Sequence, residues 1–208
     1  MLPIGDDNSS RRIFPLVTYA LLLGNILIFL LELFGGNPFV IKWALVPSRF
    51  FANPFGETFT LFTAMFMHAG WLHLGSNMLY LLIFGDNVEN RFGHGKFLIF
   101  YLLSGLAASF AQMLLTPITD IPILGASGAI AGVLGAYLIL YPTKRVRVLM
   151  FFRVINLPAL IVIGLWFLLQ LFSSIGTFAS TAQTGGVAYL AHVGGFIAGV
   201  LLTFIFRG

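Results

Sequence analysis

An all-α polytopic membrane protein is the fold class that this 208-residue chain predicts. It reads as a bundle of six transmembrane helices, with a short fourth helix that starts inside the membrane. Two observations carry the prediction. Hydrophobic residues make up 59% of the chain and charged residues only 9%, where a soluble domain has about 25% charged residues. The apolar residues also gather in six segments, 13–34, 74–88, 97–115, 127–141, 158–172 and 187–206. These consume nearly the whole chain, so residues 1–208 read as one transmembrane domain with no separate soluble part. The absence of cysteine excludes disulfides and thiolate metal sites.

The first segment follows Arg11 and Arg12 but is too long for a cleaved signal peptide, and no small-residue cleavage pattern follows it. It reads as a retained signal anchor closed by Glu32. The net charge of +4 reports topology rather than a nucleic-acid footprint. With the N-terminus inside, the inner side holds Arg11, Arg12, Arg91, Lys96, Lys144, Arg145, Arg147, Arg153 and Arg207, and the outer side only Lys42 and Arg49. That bias puts both termini in the cytoplasm, as in a multi-pass protein of the cell membrane. The 35–73 loop then faces out. It is long and aromatic, from Trp43 through Phe50, Phe55 and Phe62, and predicts short amphipathic pieces in the membrane interface.

The second segment opens on His68, His73 and Asn77, spaced His-x4-His-x3-Asn. His73 and Asn77 are four apart and share a helix face. The third segment carries no such cluster. The fourth begins Gly125-Ala126-Ser127-Gly128 and continues with Gly132 and Gly135, a small-residue face that lets another helix approach closely. A serine opening a helix also sits beside free backbone N–H groups at the positive end of the helix dipole. Such a serine is often no more than an N-cap. The fifth segment, 158–172, is short, starts with proline and has Gln170 as its one polar group. The uncharged loop 173–186 after it reads as a mobile flap. The sixth segment holds His192, with Gly195 and Gly199 on its own face.

Three of these helices run from outside to inside. Counting back from their inner ends places Ser127, His192 and His73 roughly 21–23 Å above the cytoplasmic face, in a core about 30 Å thick. At a shared depth, docking of Gly195 and Gly199 on Gly128, Gly132 and Gly135 would bring the imidazole to the serine hydroxyl. A histidine inside a span can merely bond a carbonyl, but one facing a serine at equal depth points to nucleophilic catalysis. No membrane-embedded carboxylate is placed to orient His192, so the chemistry is a Ser–His dyad rather than a triad. His68, His73 and Asn77 lack a carboxylate or thiolate partner at their depth, which argues against zinc and for donors to a developing oxyanion. No metal or other cofactor is expected.

In these residues the chain resembles the rhomboid family of intramembrane serine proteases. His68-Ala69-Gly70-Trp71-Leu72-His73-Leu74-Gly75-Ser76-Asn77 resembles the family's His-x4-His-x3-Asn. Gly125-Ala126-Ser127-Gly128 resembles its Gly-x-Ser-Gly, and His192 with Gly195 and Gly199 its His-x2-Gly-x3-Gly. The resemblance runs from Phe59 through Phe206. It implies Ser127 as nucleophile, His192 as base, an oxyanion hole of His73, Asn77 and the Ser127 backbone N–H, and a structural His68 at the rim. The implied partners are the lipid bilayer and transmembrane protein substrates, with the active site opening to the extracytoplasmic side. Phe59-Thr60 stands where many members have Trp-Arg, and Ala131 where an aromatic often follows the nucleophile. Two rival readings are a catalytically dead rhomboid-like adaptor, which would lack Ser127 or His192, and a transporter of broken helices, which would show an internal repeat.

Overall fold

A 28-residue helix, α1 (Leu16–Trp43), begins the membrane part of the chain and breaks at Gly36, where φ is 58° and ψ −153°. Glycine takes that conformation without a Cβ penalty. The computed structural model describes residues 1–116, 118–179 and 188–208. After α1 the chain makes short pieces, α2 (Pro47–Ala52), α3 (Pro54–Glu57), α4 (Thr60–Thr63) and a 3-10 turn at Ala64–Phe66. Long helices follow: α5 (Trp71–Phe92), α6 (His94–Leu115), α7 (Ser127–Leu140), α8 (Ala159–Ala179) and α9 (Tyr189–Phe206). Among the described residues, three helices, α1, α6 and α9, are long and apolar enough to cross a membrane.

The fourteen residues of α7 are too few to span about 30 Å of hydrocarbon at 1.5 Å each. Its position explains how it is tolerated. Every residue from Gly128 to Tyr137 is buried, and α5, α6, α8 and α9 pack around it. Its first turn is therefore shielded by protein rather than left open to lipid. At the opposite end of α5, Glu89 is fully buried and accepts from the Val17 and Thr18 N–H groups at 2.8 and 2.7 Å and from the Thr18 hydroxyl at 2.6 Å. It thus satisfies the orphan donors that open α1.

Three expectations are corrected. The fold is not wholly helical, because β1 (Leu2–Asp6), β2 (Arg145–Met150) and β3 (Arg153–Pro158) form an antiparallel sheet in the order β1-β2-β3. Alternation drives it: Val146 and Val148 are fully buried while Arg145 and Arg147 point out. Phe151 and Phe152 turn the hairpin at φ 46° and 65°, where Asn-Gly is the commoner choice. The sheet is tied to the helices through Asp6, whose Oδ2 accepts from the Tyr137 hydroxyl at 2.6 Å and from Asn87 Nδ2 at 2.8 Å.

The second correction is that α8 runs to Ala179, well beyond 172. Residues 173–179 of the expected flap are helical; the Ser174 hydroxyl donates to Leu171 O at 2.7 Å, which satisfies it within the helix. The rest of that flap, 180–186, and the start of the sixth segment at Val187 lie outside the described residues. The third correction concerns Glu32, which does not close α1. It is buried within that helix, and its Oε2 accepts from the His68 backbone N–H at 3.0 Å.

Candidate functional site

Ser127 is the first residue of α7, so its backbone N–H precedes the intrahelical hydrogen bonds. The loop before it is pinned from two sides. Ile123 N–H donates to Leu45 O at 2.7 Å, and Gly125 N–H donates to Ala64 O at 2.9 Å. Gly125 sits at φ 122°, and a Cβ there would fall 2.9 Å from Cε1 and Nε2 of His73. Glycine therefore serves twice, for its conformation and for the imidazole laid against it. The expected interface loop is in part a buried wall of this site, since Leu45, Ala64, Met65 and Met67 are all buried.

His192 reaches Ser127 from α9. Its Nε2 lies 2.8 Å from Ser127 Oγ, and the residue is only 8% exposed. Glycines set this distance. A Cβ on Gly195 would lie 2.1 Å from Gly128 O, and one on Gly199 would lie 2.2 Å from Gly132 O. The backbones of α7 and α9 are thus in direct contact just below the Ser–His pair. Gly128 and Gly132 are shared, because a Cβ on them would first meet Ala108 and Ser104 of α6, at 2.5 and 2.4 Å. Gly135 meets α9, 2.5 Å from Phe196 O.

On α5, His73 Nδ1 accepts from the Ala69 N–H at 3.3 Å. In neutral imidazole that leaves the proton on Nε2, the nitrogen laid against Gly125. Asn77 is buried, and its Nδ2 has no hydrogen-bond partner among the described residues. His68 packs edge-on against His73 with ring centroids 5.1 Å apart. It is 1% exposed, so it is buried rather than at a rim, and its backbone N–H donates to the buried Glu32 carboxyl.

Sequence reasoning missed what surrounds His192. Gln170 Oε1 of α8 lies 2.7 Å from His192 Nδ1. Trp166, one turn earlier on α8, places its ring 5.9 Å from the imidazole, and Tyr189 meets it edge-on at 6.5 Å. These two rings flank the imidazole, while Ala131 is fully buried. The isolated polar Gln170 in an apolar segment was the available signal.

A serine hydroxyl bonded to an imidazole nitrogen, with free N–H donors nearby, can perform acyl transfer. Beside Ser127 the protein leaves a cavity of only ≈ 20 Å³, lined by Met65, Ser109, Gly125, Gly128 and Ala191 among others. That is room for about one water, so a peptide needs the walls to part. No group of three or more His, Cys, Asp or Glu side chains suited to a metal occurs among the described residues.

Comparison with known proteins shows the family. The Rhomboid domain model matches residues 56–208. Rhomboid protease GluP of Bacillus subtilis is 35% identical over 191 residues, 89% of this chain and 34% of that protein. Mitochondrial rhomboid protein 1 of Saccharomyces cerevisiae is 30% identical over 190 residues, 89% of this chain and 51% of that one. RHOMBOID-like protein 6 of Arabidopsis thaliana, a mitochondrial protein, is 32% identical over 156 residues, 72% and 44% of the two chains. The chain thus spans about a third to a half of the length of these relatives.

Proposed function

This chain is an integral membrane protein that belongs to the rhomboid family, and from that premise we propose that it is an intramembrane serine endopeptidase. It cleaves transmembrane protein substrates within or beside their membrane span, using a Ser127–His192 dyad. The observation that carries the proposal is the 2.8 Å contact between Ser127 Oγ and His192 Nε2, buried where α7 and α9 touch.

Ser127 Oγ attacks the scissile carbonyl as its proton passes to His192 Nε2. The tetrahedral oxyanion is held by the Ser127 backbone N–H, His73 Nε2–H and the Asn77 amide. The orphaned Nδ2 of Asn77 supports that role, because a buried donor without a partner is costly until something accepts from it. Collapse of the intermediate breaks the C–N bond, and His192 returns the proton to the departing amine. Water then hydrolyses the acyl-enzyme by the same route. In this reading α1, α5, α6, α7, α8 and α9 are the six membrane helices, both termini are cytoplasmic, and the site opens to the extracytoplasmic side of the cell membrane. The reaction needs no cofactor and no metal.

The test is labelling of the purified protein with a fluorophosphonate, alongside cleavage of a transmembrane substrate. Wild type should label and cleave, while Ser127→Ala and His192→Ala should do neither yet remain folded. His73→Ala and Asn77→Ala should each lower kcat about 10- to 1,000-fold with KM little changed. Equal labelling of wild type and Ser127→Ala would overturn the assignment of the nucleophile.

A further inference from the structure

The Ser127–His192 pair has a third hydrogen-bonded member, on a different helix from either of the two. We propose that Gln170 of α8 is the positioning residue that holds His192 in the tautomer able to activate Ser127, so that α8 takes part in the chemistry as well as walling the site. The proposal rests on the proteolytic reading above and deepens it.

The argument starts from the imidazole. To take the Ser127 proton, His192 must present an unprotonated Nε2, and in the neutral ring the hydrogen is then on Nδ1. A buried N–H needs an acceptor, and the buried Glu32 carboxyl is engaged by the His68 N–H rather than by His192. Gln170 Oε1, 2.7 Å from Nδ1, is that acceptor, while Nε2 lies 2.8 Å from Ser127 Oγ. The side-chain amide thus occupies the place that a carboxylate takes in a triad, without adding a buried charge. The setting supports the assignment. Around it, Leu165, Leu168, Leu169 and Phe172 of α8 are all exposed on the protein surface, whereas Trp166 and Gln170, one turn apart, both turn to His192. A lone amide in so apolar a helix is costly in lipid and is retained where its hydrogen bond does something. Withdrawal of α8 by about 1 Å would break this bond and release the ring, which ties the position of the wall to the readiness of the base.

The test uses the full-length protein in detergent, comparing wild type, Gln170→Leu, Gln170→Met and Gln170→Glu, with Ser127→Ala as blank. The leucine and methionine variants, lacking a comparable acceptor, should lose about 10- to 1,000-fold in both kcat and the fluorophosphonate labelling rate, with KM within about twofold and an unchanged melting temperature. Glutamate, whose carboxyl accepts from Nδ1–H in either protonation state, should restore most of the loss. The ¹⁵N spectrum of histidine-labelled protein reads the tautomer directly, with the His192 signal assigned by its absence in His192→Ala. Wild type should show Nδ1–H, and Gln170→Met a mixture. A wild-type labelling rate in Gln170→Met, a loss confined to KM, or no tautomer change would overturn the role of Gln170. Labelling that survives Ser127→Ala would instead overturn the proteolytic reading, and the ¹⁵N result would still decide the tautomer claim on its own. If the leucine variant fails to fold, the methionine and glutamate arms decide.

Discussion

Adding one methyl group at Gly195 should disable the site without touching a reacting atom. Gly195 lies three residues after His192, and its Cβ would fall 2.1 Å from Gly128 O, the carbonyl next to Ser127. An ordinary carbon–oxygen contact needs roughly 3.4 Å, so α9 must retreat from α7 by about 1.3 Å at this level. Neither side offers a flexible side chain to absorb the shift, since the clash is with backbone. The Ser127–His192 contact of 2.8 Å would then open to roughly 3.5–4 Å, beyond hydrogen-bond range. A displacement of about 1 Å costs on the order of 100-fold in rate, and overpacking costs about 1–3 kcal/mol of stability, offset in part by the better helix propensity of alanine. The assay measures kcat and fluorophosphonate labelling for Gly195→Ala beside Gly24→Ala, a helical glycine of α1 with nothing within 4 Å of its Cβ position. The control should keep wild-type rates. A fully reactive Gly195→Ala, or an equal loss in Gly24→Ala, would refute the claim that backbone contact between α7 and α9 sets the geometry of the pair.

Two further predictions concern the terminal sheet and the packing of α8. Burial raises the pKa of Asp6 from 3.8 to about 6, against the lowering effect of its hydrogen bond from Tyr137. Between about pH 4 and 6 the folded state therefore binds more protons than the unfolded one, so stability falls as pH rises through that window and stays lower above it. Asp6→Asn should gain about 1–2 kcal/mol over wild type at pH 7.5, relative to the same comparison at pH 4, after solvent screening of this partly exposed group; parallel melting curves across pH would contradict this. Between α8 and α9, Phe167 stacks on Phe196 at 4.3 Å, whereas Phe172 is 67% exposed. If α8 parts to admit substrate, Phe167→Ala should speed cleavage of a transmembrane substrate several-fold more than that of a small soluble ester, and Phe172→Ala should change neither; the same response to both substrates would place the opening at the 35–73 loop.

How much of the fold is legible before the structure is seen depends on which force shapes each element. The apolar segments declare themselves because burial in lipid is written residue by residue. The helix ends do not: α5 starts three residues before 74 and runs four past 88, through Glu89 and Arg91, because Glu89 finds its partners in the start of α1. The sheet was legible in principle. Arg145-Val146-Arg147-Val148 alternates with period two, but weighed as charge alone it reads as a cytoplasmic loop. Its partner, β1, lies some 140 residues away in the chain, and only tertiary pairing reveals it.

The site divides along the same line. Ser127 and His192 could be paired in advance because the glycines that join their helices are spaced at helical intervals, and that spacing is a property of sequence. Gln170 could not, since its meeting with His192 Nδ1 depends on the rotation of α8 about its own axis, which lipid-facing leucines constrain only loosely. Glu32 was misread for a similar reason, because its partner is a backbone N–H, and backbone groups carry no sequence signature. The two missed residues share one feature: each is a polar side chain in a largely apolar helix that reaches outside its own helix, and each holds a histidine, Glu32 by the backbone of His68 and Gln170 by the ring of His192. In a chain with so little polar material at membrane depth, an isolated polar side chain is best read as the missing partner of a nearby functional group, because in lipid it has few other ways to be satisfied.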